Sequence, residues 1–261
     1  MRTTHCPPRY YALLHNNRST YTSGVLTLFS IWSKLCFSNR EIEVARKQFE
    51  WWLQELEKST PDHPVTLALH TNHAVPFAQS LAMLKQVLQG YGALLIEGSP
   101  SRQEPAAAFH YKTGAMAASA IALPSSDARA TVENVGVALS KFRCIRHVHR
   151  HTANGLLCLP FELMSDAGLS PASLVRGQYS PELNQFLQQQ LSEINKQFEE
   201  YFDSARDQPQ HRFLYVYTKL QQRLLVAYQQ NIQLLDNSDY RLTPLQNFWH
   251  AWRAKRQLSR Q

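Results

Sequence analysis

Along most of the chain, apolar residues recur at three- and four-residue spacing and β-branched alternation is nearly absent, which predicts an all-α protein. The run Ser38-Asn39-Arg40-Glu41 reads as a capping box opening one helix. From there Ile42, Ala45, Phe49, Trp52 and Leu56 form an apolar stripe, with Glu43, Lys47, Glu50 and Glu57 largely off it. Ser180-Pro181-Glu182 supplies a cap, a first-turn proline and an acid at the positive end of the dipole. Leu183, Leu187, Leu191, Ile194, Phe198 and Tyr201 follow at near-heptad spacing, and Phe213, Val216, Leu220, Leu224, Ala227 and Leu234 repeat the pattern. These two helices are expected to pair antiparallel around a turn at 207–210. Further helices are predicted near 76–96, 105–123 and 128–148, divided by Gly98-Ser99-Pro100 and Pro124-Ser125-Ser126. Residues 106–122 are rich in Ala and Gly, which suits either close approach of a neighbouring helix or the floor of a cavity.

Composition narrows this picture to one packed unit. With 44% hydrophobic, 11% aromatic and 18% charged residues, 261 residues can bury a large core, and neither a fixed-period repeat nor a linker divides them. One domain over residues 1–261 is expected, its core running from about 10 to 253. The formal charge of +7 selects anionic partners by sign: nucleic acid, an acidic membrane surface or a phosphorylated small molecule. No nucleic-acid module accompanies the charge, so nucleic acid is set aside. Cys6, Cys36, Cys144 and Cys158 form no CxxC pair or regular framework, which favours free thiols in a reducing compartment. No signal peptide or membrane-length apolar run is legible, so a soluble cytoplasmic protein is expected, or one peripheral at the inner face of a membrane.

The most informative stretch runs Ala138-Leu139-Ser140-Lys141-Phe142-Arg143-Cys144-Ile145-Arg146-His147-Val148-His149-Arg150-His151, then Gly155-Leu156-Leu157-Cys158-Leu159-Pro160. It resembles the second signature of squalene and phytoene synthases: a helix ending in Arg-Asp-x-x-x-Asp, then a Gly and an apolar run closing on Leu-Pro. Tyr10-Tyr11-Ala12, Arg18, Phe49-Glu50-Trp51-Trp52, His63-Pro64-Val65, Leu163, Ala167-Gly168-Leu169-Ser170 and Trp252-Arg253 extend the likeness in the family's order. The resemblance implies an isoprenoid-synthase helical bundle around a central cavity, in which two Asp-rich helices hold Mg²⁺ against a prenyl diphosphate. Hard carboxylate oxygens suit that ion, and the ion stabilises the departing diphosphate.

At the two aspartate positions of that signature stand His147 and His151, with Arg143 in place of the usual Asn one turn earlier. Imidazole is a poor Mg²⁺ ligand. The first motif aligns around 33–40, where Cys36 and Arg40 stand, and no Asp occurs before Asp62. The resemblance therefore implies that Mg²⁺ and head-to-head condensation are not to be expected. It is similar to the divergent branch containing the mitochondrial complex I assembly factor of this fold.

Several readings of these residues stay open. Arg143, Arg146, His147, Arg150 and His151, with Arg40, either form a solvated basic helix end or bind a diphosphate or another anion directly. A third reading is a transition-metal site on His147 and His151, with Cys144 or Cys158 as a further ligand. Tyr10, Tyr11, Cys36 and Phe142, with Phe109 and Tyr111, are candidates to line an isoprenoid tunnel, against the alternative of ordinary core. The segment from Phe248 to Arg256 mixes aromatic and basic residues and suits either an acidic membrane surface or a last core helix. The expected function is a non-catalytic isoprenoid- or lipid-binding or assembly-type factor, with a protein partner and without cofactor or metal. The alternative is an enzyme acting on an isoprenoid diphosphate, a prenyltransferase for example, through Arg and His instead of Mg²⁺.

Overall fold

The computed structural model describes residues 7–13, 19–38, 41–72, 77–100, 102–123, 125–174, 178–205, 211–237 and 240–258, and among these every regular element is helical. In chain order they are α1 (Pro7–Leu13), α2 (Ser19–Ser38), α3 (Ile42–Glu57), α4 (Pro64–His70), α5 (Phe77–Glu97), α6 (Gln103–His110), a π-helical turn (Tyr111–Ala115), α7 (Met116–Ala122), α8 (Ser126–Arg146), α9 (Val148–Ala153), α10 (Phe161–Asp166), α11 (Pro181–Ala205), α12 (Arg212–Gln230) and α13 (Pro244–Leu258). Short 3₁₀ turns at Pro171–Ser173 and Ile232–Asp236 complete the list. None of the described helices is long and apolar enough to cross a membrane.

Helix α8 runs through the middle of the bundle, packed on the π turn, α7 and α11, while α5 lies against α2, α3 and α7. Buried apolar side chains from Ala12 to Ala254 form one contiguous core. The expected antiparallel pairing of α11 and α12 is visible in its register. Gln188 donates to the Gln229 carbonyl at 2.8 Å and Gln222 to Asn195 at 3.1 Å, so residue numbers rise on one helix as they fall on the other. The expected turn at 207–210 lies outside the described residues. Ser180 caps α11 as predicted, its hydroxyl accepting from the Leu183 amide at 3.2 Å.

Two expectations for the third helix need correction. Ser38 ends α2 instead of opening α3, whose N-cap is Glu41, and no side chain caps that terminus. The reason is burial: Cys36 and Phe37 belong to the core, so α2 continues through the very residues that the local cap pattern assigned to a new start. Ile42 consequently lies at the outer edge of α3 and is 54% exposed, while Ala45, Phe49, Trp52 and Leu56 are buried as expected.

The small residues at 106–122 serve close packing. Gly114, in the π turn, and Gly136, in α8, meet backbone to backbone, so a Cβ built on either would overlap the other's carbonyl oxygen. The wider π turn carries Thr113, whose hydroxyl donates to the Phe109 carbonyl at 2.8 Å and lies 3.1 Å from the Ser140 hydroxyl. This contact seats the C-terminal half of α8, and with it Arg143 and Cys144.

Candidate functional site

Four elements converge where α8 ends. From α2 come Cys36 and Phe37, from α5 Tyr91, and from the last turns of α8 Arg143 and Cys144. His147 interrupts the helix with φ −113° and ψ 20°, after which α9 carries His149, Arg150 and His151. The chain then reverses at Gly155, whose φ of +73° is in the left-handed region that favours glycine, and returns Cys158 beneath α9. This return segment is pinned at both sides. Asn154 donates to the Phe37 carbonyl at 2.7 Å, and the Leu157 amide to the Ser99 hydroxyl at 2.6 Å.

The structure divides the basic cluster that the sequence groups together. Arg143 and His151 turn inward to Cys36, Cys144 and Cys158. Arg146 donates to the Tyr240 carbonyl at 3.0 Å, and Arg150 is exposed. His149 lies 2.9 Å from the Tyr179 hydroxyl and 3.0 Å from the Leu174 carbonyl, with Asp236 at 3.5 Å. The ring centroids of His147 and His151 are 5.9 Å apart. Arg40 and Arg18 lie outside the described residues, as does the side chain of Tyr10. Of the other tunnel candidates, Cys36, Phe142 and Phe109 are buried in the contiguous core and Tyr11 packs against it, whereas Tyr111 is 43% exposed.

Three contacts define the inner cluster. The Arg143 guanidinium donates to the Tyr91 hydroxyl and sits over that ring, 5.3 Å from its centroid. Arg143 Nε and Nη2 are closed off from solvent with no hydrogen-bond partner among the described residues. Phe37 stacks on the His151 imidazole at 3.9 Å and 12° between planes, which fixes the ring's orientation. His151 Nδ1 is then 3.9 Å from Cys158 Sγ. One ring nitrogen of His151, Cys144 Sγ and Cys158 Sγ lie within 4.8 Å of one another, and all three residues are buried.

Burial also sets the charge of this cluster. It pushes the Cys36 thiol up to about 12, opposed by the nearby Arg143 charge, and holds Cys158 well above the ordinary thiol range with Cys144 beside it. His151 is driven well below the usual imidazole range, first by burial and then by His147, Arg143 and Arg150. His110, 3.1 Å from the Ser140 hydroxyl, falls to about 3 for the same first reason. Arg143 itself is raised: burial opposes its charge, but Tyr91, Cys144 and Cys158 outweigh it, and no carboxylate is among those groups. The cluster thus sets the Arg143 guanidinium beside the raised thiols of Cys36 and Cys158 and beside His151, whose imidazole burial holds against protonation.

Sequence reasoning missed Phe37, Tyr91 and His110. The first two carry no local signal, since an aromatic in an apolar helix reads as core. His110 lies within a segment read only for its small residues.

Comparison with known proteins agrees with this architecture. No curated protein sequence matches the chain. A crystal structure of a dehydrosqualene synthase in complex with ligand superposes with a TM-score of 0.79, covering 99% of this chain and 94% of that one at 14% identity, a likeness that establishes the fold. Residues 112–253, more than half of the chain, match the squalene/phytoene synthase family model, and their span includes α8, the break at His147 and the return to Cys158. The all-α isoprenoid-synthase bundle and this match together place the chain in the squalene/phytoene synthase family.

Proposed function

We propose that this chain is a non-synthase member of its family: it keeps the bundle, has given up metal-assisted diphosphate chemistry, and acts as an isoprenoid- or lipid-binding, assembly-type factor at a membrane surface. The observation that carries this reading is the buried environment of Arg143. Where the resemblance puts Mg²⁺ carboxylates, the chain has His147 and His151, with Arg143 in place of the usual Asn one turn earlier and Cys36 in the stretch that aligns with the first motif. These do not fit Mg²⁺, which takes oxygen ligands and would be repelled by a guanidinium whose neighbours are a phenol and thiols. Without the ion, nothing in the cluster neutralises a departing diphosphate in the way a synthase requires.

What the cluster offers instead is a fixed cation with unused donors. Arg143 Nε and Nη2 suit an anionic oxygen, and a prenyl or acyl chain attached to it would have to part the apolar side chains packed around them. Support for a membrane surface comes from α13. Its inner face buries Asn247, Ala251 and Ala254, while Leu245, Phe248 and Trp249 are 76%, 50% and 52% exposed on the outer side. The exposed Arg253, Lys255 and Arg256 follow at its C-terminal end, a pattern that fits an interfacial helix on anionic lipid.

Calorimetric titration with farnesyl and geranylgeranyl diphosphate, with and without Mg²⁺, tests the reading when the products of the same mixtures are analysed. Binding that does not depend on Mg²⁺, is weakened in Arg143→Ala and yields no condensed product is the expected result. A condensed prenyl product formed by the wild type and absent with Arg143→Ala would overturn it.

A further inference from the structure

We propose that Cys144, His151 and Cys158 form a binding site for one thiophilic monovalent metal ion, copper(I), through Cys144 Sγ, His151 Nδ1 and Cys158 Sγ. The inference concerns a different ligand from the prenyl compounds above and does not rest on their binding.

The donor set comes first. Two thiolates and one imidazole are soft and intermediate ligands, the combination that selects copper(I) or zinc over magnesium. The three donors come from three pieces of backbone, the end of α8, helix α9 and the Gly155 return, so their meeting is a tertiary event and not a by-product of helical spacing. Bonds of about 2.0–2.3 Å arranged in a trigonal plane put donor atoms about 3.5–4.0 Å apart. His151 Nδ1 and Cys158 Sγ are at 3.9 Å, and one nitrogen of that ring and the two sulfurs lie within 4.8 Å of one another, so closure needs only small shifts.

Coordination number and charge then choose the ion. Zinc takes four ligands, and its structural sites are closed. Here three buried donors meet among apolar side chains, with Phe37 stacked on one imidazole face, which suits an ion content with three. Binding is written Cu⁺ + 2 Cys–SH → [Cu(S–Cys)₂]⁻ + 2 H⁺, with His151 giving a lone pair and no proton. The product carries one negative charge beside Arg143, the residue next to Cys144, whose guanidinium carries one positive charge and donates to the Tyr91 hydroxyl. A divalent ion with the same ligands would leave that cation uncompensated. The second shell is also present: the His110 ring bonds to the Cys158 backbone and sits 3.1 Å from Ser140, holding the return segment in place.

The experiment uses the full chain, reduced and metal-free, titrated anaerobically with copper(I) in competition with bathocuproine disulfonate, followed by X-ray absorption at the copper edge. Expected are one tightly held copper(I) per chain, an absorption edge of a three-coordinate sulfur and nitrogen site, and proton release of two per ion. Cys158→Ser and His151→Ala should each lower affinity by more than the roughly 10- to 100-fold that loss of an outer-shell partner costs. His151→Ala is the informative variant, since it keeps both thiols, and circular dichroism with thermal melting checks that each variant is folded. Failure of the reduced wild type to compete, zinc held in preference to copper(I), or unchanged affinity in folded His151→Ala would each overturn the assignment.

Discussion

Gly114 and Gly136 touch backbone to backbone: a Cβ on Gly114 would stand 2.3 Å from the Gly136 carbonyl oxygen, and one on Gly136 would stand 2.4 Å from that of Gly114. Neither oxygen can move without shifting a helix, so a methyl group at either site forces α8 away from the π turn. Gly114→Ala or Gly136→Ala should therefore lose about 2 kcal/mol or more, despite the gain in helix propensity that alanine brings. Gly92→Ala is the matched control. Its new Cβ would meet only Phe49 at 3.8 Å, an ordinary contact, and the variant should be neutral or gain up to about 1 kcal/mol. Urea unfolding of the three variants checks the contrast.

Glu55 makes a second contact that composition hides. It is fully buried in α3, where Oε1 accepts the His63 amide at 2.7 Å and Oε2 pairs with Lys58 Nζ at 3.2 Å. His63 is the N-cap of α4, so this carboxylate ties the start of one helix to the last turn of another. Glu55→Ala strands that amide and should cost about 2 kcal/mol, whereas Glu55→Gln keeps an acceptor and should cost about half as much. Thermal melts would expose an error here if the two variants proved equally stable.

These two relationships mark the boundary of what the sequence discloses. Periodicity and local caps located α5, α8, α11 and α12, because an amphipathic stripe is a property of neighbours in the chain. Ser38 reads as a helix start but ends α2, because the burial of Cys36 and Phe37 in the core overrides a good local cap pattern. Glu55 carries no sequence signal of its own, and only the fold brings His63 to it. In the candidate site, the resemblance singles out the stretch from Arg143 to Cys158. Its splitting into an inward pair, Arg143 and His151, and an outward Arg150 is not legible there, since that depends on the helix break at His147. The convergence of Cys144, His151 and Cys158 likewise needs the reversal at Gly155.

His211 gives the protein a defined acid sensitivity. It is buried at the N-cap of α12, neither ring nitrogen has a hydrogen-bond partner among the described residues, and burial lowers it to about 4. An unfolded histidine titrates near 6.5, so between about 4 and 6.5 the unfolded chain holds a proton that the folded chain refuses. Stability must then rise with pH through this window, being complete above about 6.5 and lost progressively on acidification. The slope from this one group is at most about 1.4 kcal/mol per pH unit. Unfolding free energies of the wild type and of His211→Gln, compared at several pH values, should show the slope reduced in the variant; parallel curves would sink the assignment.

The outer face of α13 leads to the most direct cellular prediction. Trp249 and Trp252 stack at 5.2 Å, and Arg256 lies 4.2 Å over the Trp252 ring, so the aromatic stripe is held rigid beside its own cations. A preformed apolar ridge with positive charge at one end gains from burial in the headgroup region and from attraction to anionic lipid. The protein should therefore sediment with vesicles containing phosphatidylglycerol, and much less with phosphatidylcholine alone. Added salt should weaken the anionic case, because the charge term is screened over about 10 Å at 0.1 M. Phe248→Ala with Trp249→Ala should abolish sedimentation while leaving the melting temperature within a few degrees of the wild type, since both side chains are half exposed. Equal binding of this double variant would assign the membrane contact to another face of the bundle.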